Sequence, residues 1–445
     1  MRGSAKKGVA QPRKNLSRKE RFSSVRGMRD ILPEEQLYWR RVISVAEKAA
    51  EGFGCQRIDT PVLEYTNLFE RTVGDGTDIV EKEMYTFLTK GKDRVTLRPE
   101  LTASIARAFI EHGMDRRPQP VKLYSIGPIF RYERPQEGRY RQSHQVDVEV
   151  FGRSDAMLDA QVIQLASFML NKAGIKNWGL LINSIGCAKC RKPYIRSLTS
   201  YFRSHSSTLC PNCKIRLKKN PLRVLDCKEP RCKVLAAGAP QLINSLCEEC
   251  HDHFKTVLEY LDELKMTYEI DPTLVRGLDY YNRTVFEMVT NDEATREKYA
   301  LAGGGRYDGL IKQLGGKEIP GIGFAAGIER ITIELSRNQK TAGEKKKSQV
   351  FLIQLGELGK RKSLCLFNDL QKAGISVAES FGKGSIKAQL RSADKSGADL
   401  ALIIGQKEAL DNTVIVRDMN VGSQEVVPQD RIIERVKKLI KQKTS

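Results

Sequence analysis

Residues Phe130 to Glu149, FRYERPQEGRYRQSHQVDVE, constrain the fold of this chain more than any other stretch. They crowd four arginines, four carboxylates and three aromatic residues between two alternating runs, KLYSIGPIFRYE from Lys122 and HQVDVEVFG to Gly152. That much charge does not suit a core, and the alternation does not suit a tail. Period-two alternation on either side of Pro135 and Gly138 predicts a hairpin whose two strands present charged side chains on one face. Arginines fixed on strands suit a polyphosphate, because a guanidinium forks onto phosphate oxygens and stays charged out of water. An exposed, salt-bridged hairpin would carry the same residues.

With 445 residues the chain has room for two or three domains, each with its own core. No apolar run approaches the ~18–20 residues of a membrane span, and the amino terminus lacks a signal peptide's apolar segment, so a cytoplasmic protein is expected and no membrane partner. The net charge of +21 is unevenly spread. Residues 1–26 hold nine Lys/Arg against one Glu, and residues 187–250 hold thirteen against four acids. Such basic segments are the usual electrostatic footprint of nucleic acid, with a solvated face as the alternative for the second and a solubilising tail as the favoured reading of the first. Residues 1–25, poor in apolar side chains, are expected to be a disordered basic tail.

From Arg26 an amphipathic helix is expected, with Leu37, Val42, Val45 and Ala49 inward, stopping at Gly52 and Gly54; a strand from Arg57 to Leu63 follows. EMYTFLTKGKDRVTLRPELT predicts a hairpin turning at Lys90–Lys92 and a helix opening near Glu100. Asp155 to Ala173 predicts a helix with Met157, Val162, Leu165 and Leu170 inward, and WGLLINSIG a strand. MTYEIDPTLVRGLDYYNRTVFEMV predicts two short strands bracketing a turn that carries Arg276, Asp279, Tyr280, Tyr281 and Arg283. LAGGGRYDG predicts a glycine-rich turn, and PGIGFAAGIERI a strand leading into a helix opened by Glu329 and Arg330. The last has the wrong spacing for a dinucleotide fingerprint, and no P-loop is present. Residues 337–348 are a linker by composition. Residues 349–445 alternate strands and helices, which predicts a separate α/β domain on a largely parallel sheet.

Composition shifts abruptly at Cys187. Eight of the ten cysteines lie between there and Cys250, as CAKC, CPNC, Cys227 with Cys232, and CEEC. Without a secretory signal such pairs argue for metal before disulfide, and four thiolate pairs suit two closed zinc sites. Spacing leaves the pairing open, and reduced, unmetallated cysteines are the alternative. Cys55 and Cys365 are expected to be buried thiols.

FRYERPQEGRYRQ, RPELT, the Arg276–Arg283 turn and PGIGFAAGIER, in that order, resemble motif 2, the amino-acid turn, the histidine signature and motif 3 of the class II aminoacyl-tRNA synthetases, and of histidyl-tRNA synthetases in particular. The resemblance runs over roughly residues 26–440. It implies an α/β chain with an α+β catalytic core: an antiparallel class II core over 26–186 and 251–336, a small cysteine-rich insertion over 187–250, and a mixed α/β anticodon-binding domain over 349–445. It implies a homodimer built on the first helix and strand, with L-histidine, ATP and Mg²⁺, and histidine tRNA as partners. Arg131 and Arg276 are then the catalytic residues that grip the α-phosphate, Arg276 taking the place of a metal ion used by related enzymes. Histidine would be held by Glu100, Thr102, Arg131, Gln145, Glu149, Arg276, Tyr280 and Tyr281. ATP would be held by Arg131, Glu133, Arg139, Arg141 and Arg330. Zinc, if bound, would use Cys187, Cys190, Cys210, Cys213, Cys227, Cys232, Cys247 and Cys250, although many family members lack these cysteines. Ser143 stands where most members carry an aromatic ring for adenine, so stacking there falls to Arg330 and another neighbour, or is weaker. The rival reading is a non-catalytic regulatory paralogue that acts on ATP phosphoribosyltransferase; such paralogues typically lose the histidine signature and the carboxyl-terminal domain, both of which stand here. A stress-kinase sensor domain of the same shape is disfavoured because no kinase segment is present.

Overall fold

The hairpin forms, with Val121–Phe130 antiparallel to Gln142–Phe151 in unbroken register from Val121 opposite Phe151 to Phe130 opposite Gln142. The structure, a computed structural model, describes residues 22–74, 77–290, 299–338, 349–380 and 384–444. Most of the expected tail (1–21) and of the expected linker (339–348) lies outside the described residues. The chain divides into two units, 1–340 and 341–445.

In the first unit the hairpin lies within an eight-stranded sheet. Its order is Gln56–Arg57, Val121–Phe130, Gln142–Phe151, Gly321–Gly327, Ala300–Arg306, Asn282–Thr290, Trp178–Ser184 and Glu269–Ile270. Only the two edge pairings are parallel. Alternation decides the faces: Val146, Val148 and Val150 enter a core with Phe324 and Phe286, while Gln145, Asp147 and Glu149 point the other way. Each buried valine contributes roughly 1.5–3 kcal/mol relative to exposure. The valine face is covered by helices Gln36–Gly52, Ala156–Ala173, Glu248–Glu263 and Ile328–Asn338. The opposite face carries helix Thr102–Glu111 and the apolar side of the 187–250 segment, with Tyr194, Leu198 and Phe202 buried there.

Several expectations need correction. The motif 2 arginines lie on the connection after Phe130, not on the strands; that connection is closed by Arg131 N–H donating to Arg141 O at 2.9 Å. The Arg57–Leu63 strand splits at Pro61, which lacks an N–H donor, into Gln56–Arg57 and Leu63–Tyr65. The latter joins Arg94–Leu97 and Tyr85–Leu88 in a separate three-stranded sheet. The glycine run is a strand, Ala300–Arg306, in the middle of the large sheet rather than a turn. A Cβ at Gly304 would reach 2.6 Å from Phe324 Cα, so only glycine lets the two strands close here. Leu37 and Met157 are exposed instead of inward. Met157 falls on the stripe with Phe168, while Ala160, Ile163, Ala166 and Leu170 make the buried one.

The 187–250 segment is helical, and its last helix, Glu248–Glu263, continues without a break into the core through Phe254, Val257 and Leu261. In the second unit the sheet order is Val377–Glu379, Val350–Gln354, Leu400–Ile404, Thr413–Asp418 and Gln424–Pro428. Two pairings are parallel and two antiparallel, so the sheet is mixed rather than largely parallel. The connecting helix Gln406–Leu410 is too short for a crossover, and the chain must return antiparallel. Cys365 is exposed in this unit, one helical step from buried Leu366, whereas Cys55 is buried as expected.

Candidate active site

One cavity in the first unit gathers side chains from every resembling motif. Arg131, Glu133 and Arg139 reach it from the hairpin connection, and Glu100 and Thr102 from the start of helix Thr102–Glu111. Gln145 comes from the floor strand, Arg276, Tyr280 and Tyr281 from the turn before Asn282–Thr290, and Arg330 from the helix after Gly327. Two sequence candidates are not in the wall. Glu149 lies beneath the floor, and Arg141 is turned away, its guanidinium 3.6 Å from the Tyr132 ring centre and donating to Arg26 O at 3.2 Å. Arg141 thus ties down the segment before the first helix.

Three buried carboxyls line or underlie one end. Thr102 Oγ1 donates to Glu149 Oε1 at 2.6 Å, and Tyr307 OH donates to Glu149 Oε2. Glu100 accepts the Ala103 N–H at 2.8 Å, and Tyr280 OH donates to its other oxygen at 3.5 Å. Burial pushes Glu149 up to about 8 despite those two donors. Burial, then the neighbouring Glu149 and Glu100, hold Asp147 well above the usual carboxylate range, and burial raises Glu100 as well. Tyr280, Tyr281 and Tyr307 pack as a cluster, with centroids 4.7 Å apart for the first pair and 5.6 Å for Tyr280 with Tyr307. Burial pushes Tyr281 up to about 12, so its hydroxyl stays a neutral donor and acceptor.

The other end is cationic. Arg131 is aimed by its Nε donating to Pro99 O at 2.8 Å, and Arg330 by donating to Gly138 O at 3.1 Å and Ala300 O at 2.7 Å. Arg276 is ion-paired with Glu287. With the three carboxyls of the first end driven toward their neutral forms, the arginines outweigh Glu133 and Glu287, and the wall suits anionic oxygens. Three buried polar atoms on this wall, Gln145 Oε1, Asp147 Oδ1 and Arg276 Nε, have no hydrogen-bond partner within the protein. Buried polar atoms are nearly always satisfied, so these mark where a polar ligand belongs.

Sequence reasoning missed Tyr307, Glu287 and Asp147. Asp147 had a signal, the period-two spacing with Gln145 and Glu149. Glu287 had a weaker one, as the sole acid on its strand, while Tyr307 is placed only by tertiary packing. Ser143 lines the cavity, and so does Tyr140. The eight clustered cysteines assemble as two quartets, Cys187, Cys190, Cys247 and Cys250, and Cys210, Cys213, Cys227 and Cys232, each with its sulfurs within 4.8 Å of one another.

The histidyl-tRNA synthetase family model matches residues 27–189 and 222–331. The chain belongs to the histidyl-tRNA synthetase family. It is therefore a class II aminoacyl-tRNA synthetase, a ligase, and an anticodon binding domain model matches residues 349–439. A histidine–tRNA ligase of Dehalococcoides mccartyi is 48% identical over 419 residues, 94% of this chain and 100% of that protein. One from Caldicellulosiruptor saccharolyticus is 46% identical over 420 residues, again 94% of this chain and 100% of the other. The crystal structure of apo histidyl-tRNA synthetase from S. aureus has a TM-score of 0.77 at 34% identity, covering 94% of this chain and all of that one. Ligase relatives spanning nearly the whole chain, with an anticodon-binding domain in place, disfavour the regulatory alternative. Residues 190–221, between the two matched segments, are where this synthetase departs from the family model. No described helix is long and apolar enough to cross a membrane.

Proposed function

We propose that the chain joins L-histidine to its tRNA in the cytoplasm as a homodimer, using ATP through a histidyl-adenylate. The observation that carries this reading is the convergence of Arg131 and Arg276 on one cavity beside buried Glu100, Gln145 and Tyr281. The histidine carboxylate attacks the α-phosphorus, the bond to the bridging oxygen breaks and pyrophosphate leaves. A ribose hydroxyl of the tRNA then takes the acyl group and AMP departs. No side-chain nucleophile is needed, so catalysis is positioning plus preorganised positive charge.

Arg131 and Arg276 hold the α-phosphate oxygens, and Arg139 the rest of the triphosphate. Glu133 accepts from the adenine amino group. Arg330 packs on Gly138, two residues from Tyr140, so these two planar side chains take the stacking that Ser143 cannot supply. The wall's chemistry fits Mg²⁺, which favours phosphate oxygens with one or two carboxylates: Glu287 and the Glu133 oxygen not engaged by adenine would hold it, and it would supply positive charge for the pyrophosphate leaving group. Glu100 and Thr102 receive the substrate ammonium. Gln145 and Tyr281 recognise the two imidazole nitrogens, one a donor and one an acceptor, with Glu149 and Tyr307 supporting them from beneath the floor. A site built to satisfy such polar groups rejects analogues lacking them by about 10⁴–10⁵. The insertion binds zinc through its eight cysteines, and its basic surface meets the tRNA.

Pyrophosphate exchange into ATP, measured across the twenty amino acids, tests the reading. Exchange with histidine alone is expected; silence from folded protein would favour the regulatory alternative.

A further inference from the structure

The polar contacts of the cysteine-rich insertion with the catalytic unit fall at two places, Asp78 and Glu81, which pair with Arg216, Arg223 and Lys219, and the turn that carries Arg276 and Tyr281. Asn220 Nδ2 donates to Asp279 Oδ1 at 2.8 Å, and Arg223 Nη1 donates to the carbonyl of Arg276 at 3.4 Å. From the other quartet, Arg191, the residue after Cys190, donates to the carbonyl of Tyr281. The insertion therefore holds both ends of the histidine signature and its middle.

Apart from the ion pairs of this segment with Asp78 and Glu81, the holding residues have little else to fix them. Asn220 and Arg223 lie between Cys213 and Cys227. Helix Pro211–Lys219 buries only Cys213, and the single turn Pro221–Val224 buries only Val224. A helix that short does not persist alone. What brackets the segment is the second quartet. Cys210 Sγ and Cys227 Sγ are 3.8 Å apart, and in the first quartet Cys187 Sγ lies 3.7 Å from Cys190 Sγ and 3.8 Å from Cys247 Sγ. Four sulfurs at about 2.3 Å around a tetrahedral zinc ion stand about 3.8 Å from one another, whereas a disulfide would bring them to about 2.05 Å. Backbone amides also point at the sulfurs: Cys213 N–H donates to Cys210 Sγ at 3.4 Å, Cys210 N–H to Cys232 Sγ at 3.3 Å, and Cys247 N–H to Cys190 Sγ at 3.1 Å. Donors of this kind support thiolate ligands of a metal.

We propose that the two cysteine quartets bind one zinc ion each and together form a clamp, through Asn220, Arg223 and Arg191, that fixes the Arg276–Tyr281 turn for histidine activation. This rests on the ligase and zinc readings above and adds a role: the insertion serves the adenylation step and not only tRNA contact. The clamp residues are positioning residues, since they touch the carbonyls of Arg276 and Tyr281 and the side chain of Asp279 and not the substrate.

The test uses full-length enzyme. Elemental analysis is expected to give two zinc ions per chain, falling to one in Cys232→Ser. In pyrophosphate exchange, Asn220→Ala/Arg223→Ala is expected to keep both zinc ions yet lose roughly 10- to 100-fold in kcat/KM for histidine, the scale of a small misplacement near the chemistry. Its KM for histidine should rise, while affinity for histidine tRNA, measured by filter binding, should stay as in the parent. Cys232→Ser should show the same kinetic change; if that variant does not fold, the double variant decides. A fully active parent without zinc overturns the metal reading. Two zinc ions with unaltered exchange in Asn220→Ala/Arg223→Ala overturns the clamp while leaving zinc and ligase intact. A parent with no exchange at all overturns the ligase reading instead.

Discussion

Arg276 and Glu287 form an ion pair at the cavity wall, and the strand residue opposite Glu287 is Gly303. The missing side chain at Gly303 is where the guanidinium lies, because a Cβ there would come within 2.7 Å of Arg276 Nη1. Glu287 thus aims the arginine, and glycine gives it room.

Arg276→Ala should lower pyrophosphate exchange by about 10²–10³, the usual cost of one donor to developing charge. Gly303→Ala should bring a similar loss by displacing the flexible end of Arg276, with thermal unfolding little changed. An active Gly303→Ala enzyme would mean that Arg276 does not act from this position.

Glu149, raised to about 8, keeps its proton in the folded chain at neutral pH. Its contribution to stability is therefore fully present below the unfolded value near 4.3 and is lost as pH rises through about 8. Free imidazole titrates near 6.5, so ligand and Glu149 exchange protons within the same window. We expect the KM for histidine in the parent to vary with pH between about 6.5 and 8. Glu149→Gln should flatten that profile and the corresponding slope of unfolding free energy with pH. An unaltered profile would separate Glu149 from the imidazole.

Arg306, Asp159 and His253 make a buried network outside the cavity, with Arg306 Nε donating to Asp159 Oδ1 at 3.0 Å and His253 Nε2 2.8 Å from Asp159 Oδ2. Burial alone would raise Asp159, but Arg306 and then His253 outweigh it and hold it low. That stabilisation is present above the usual carboxylate range and is lost on acidification. Arg306→Leu should cost about 3–5 kcal/mol in urea unfolding at pH 7, because it strands a buried charge. The deficit should shrink toward pH 4.

On the small sheet, Leu63, Tyr65 and Phe87 share one face and are 44%, 63% and 46% exposed. Apolar residues exposed side by side suit an interface between copies. Light scattering should find a dimer for the parent and a monomer for Tyr65→Asp/Phe87→Asp. A variant that stays dimeric would place the interface elsewhere.

How much was legible varied with how local its cause is. The hairpin, the helices that begin at Thr102, Ala156 and Ile328, and the two-sided floor strand follow from alternation and helical spacing, and they appear where the sequence puts them. The Ala300–Arg306 sequence reads as a turn because glycine's freedom is visible in a sequence, but the crowding by Phe324 and Arg276 that requires glycine is not. Arg141 carries the same charge as Arg139, and only the path of the chain near Arg26 separates their tasks. Tyr307 belongs to the carboxyl end of the site through contacts with Glu149 and Tyr280, residues far from it in sequence. The quartets show the same limit: spacing gave four pairs, and only folding joined Cys187 and Cys190 to Cys247 and Cys250.

Helix Glu248–Glu263 starts at a sulfur quartet and ends among the apolar residues behind the sheet, with no glycine or proline along its length. It acts as a rigid strut about 24 Å long at 1.5 Å per residue. A load placed on the insertion cannot be absorbed by a hinge at this joint; it arrives at Val257 and Leu261, behind the sheet that floors the cavity.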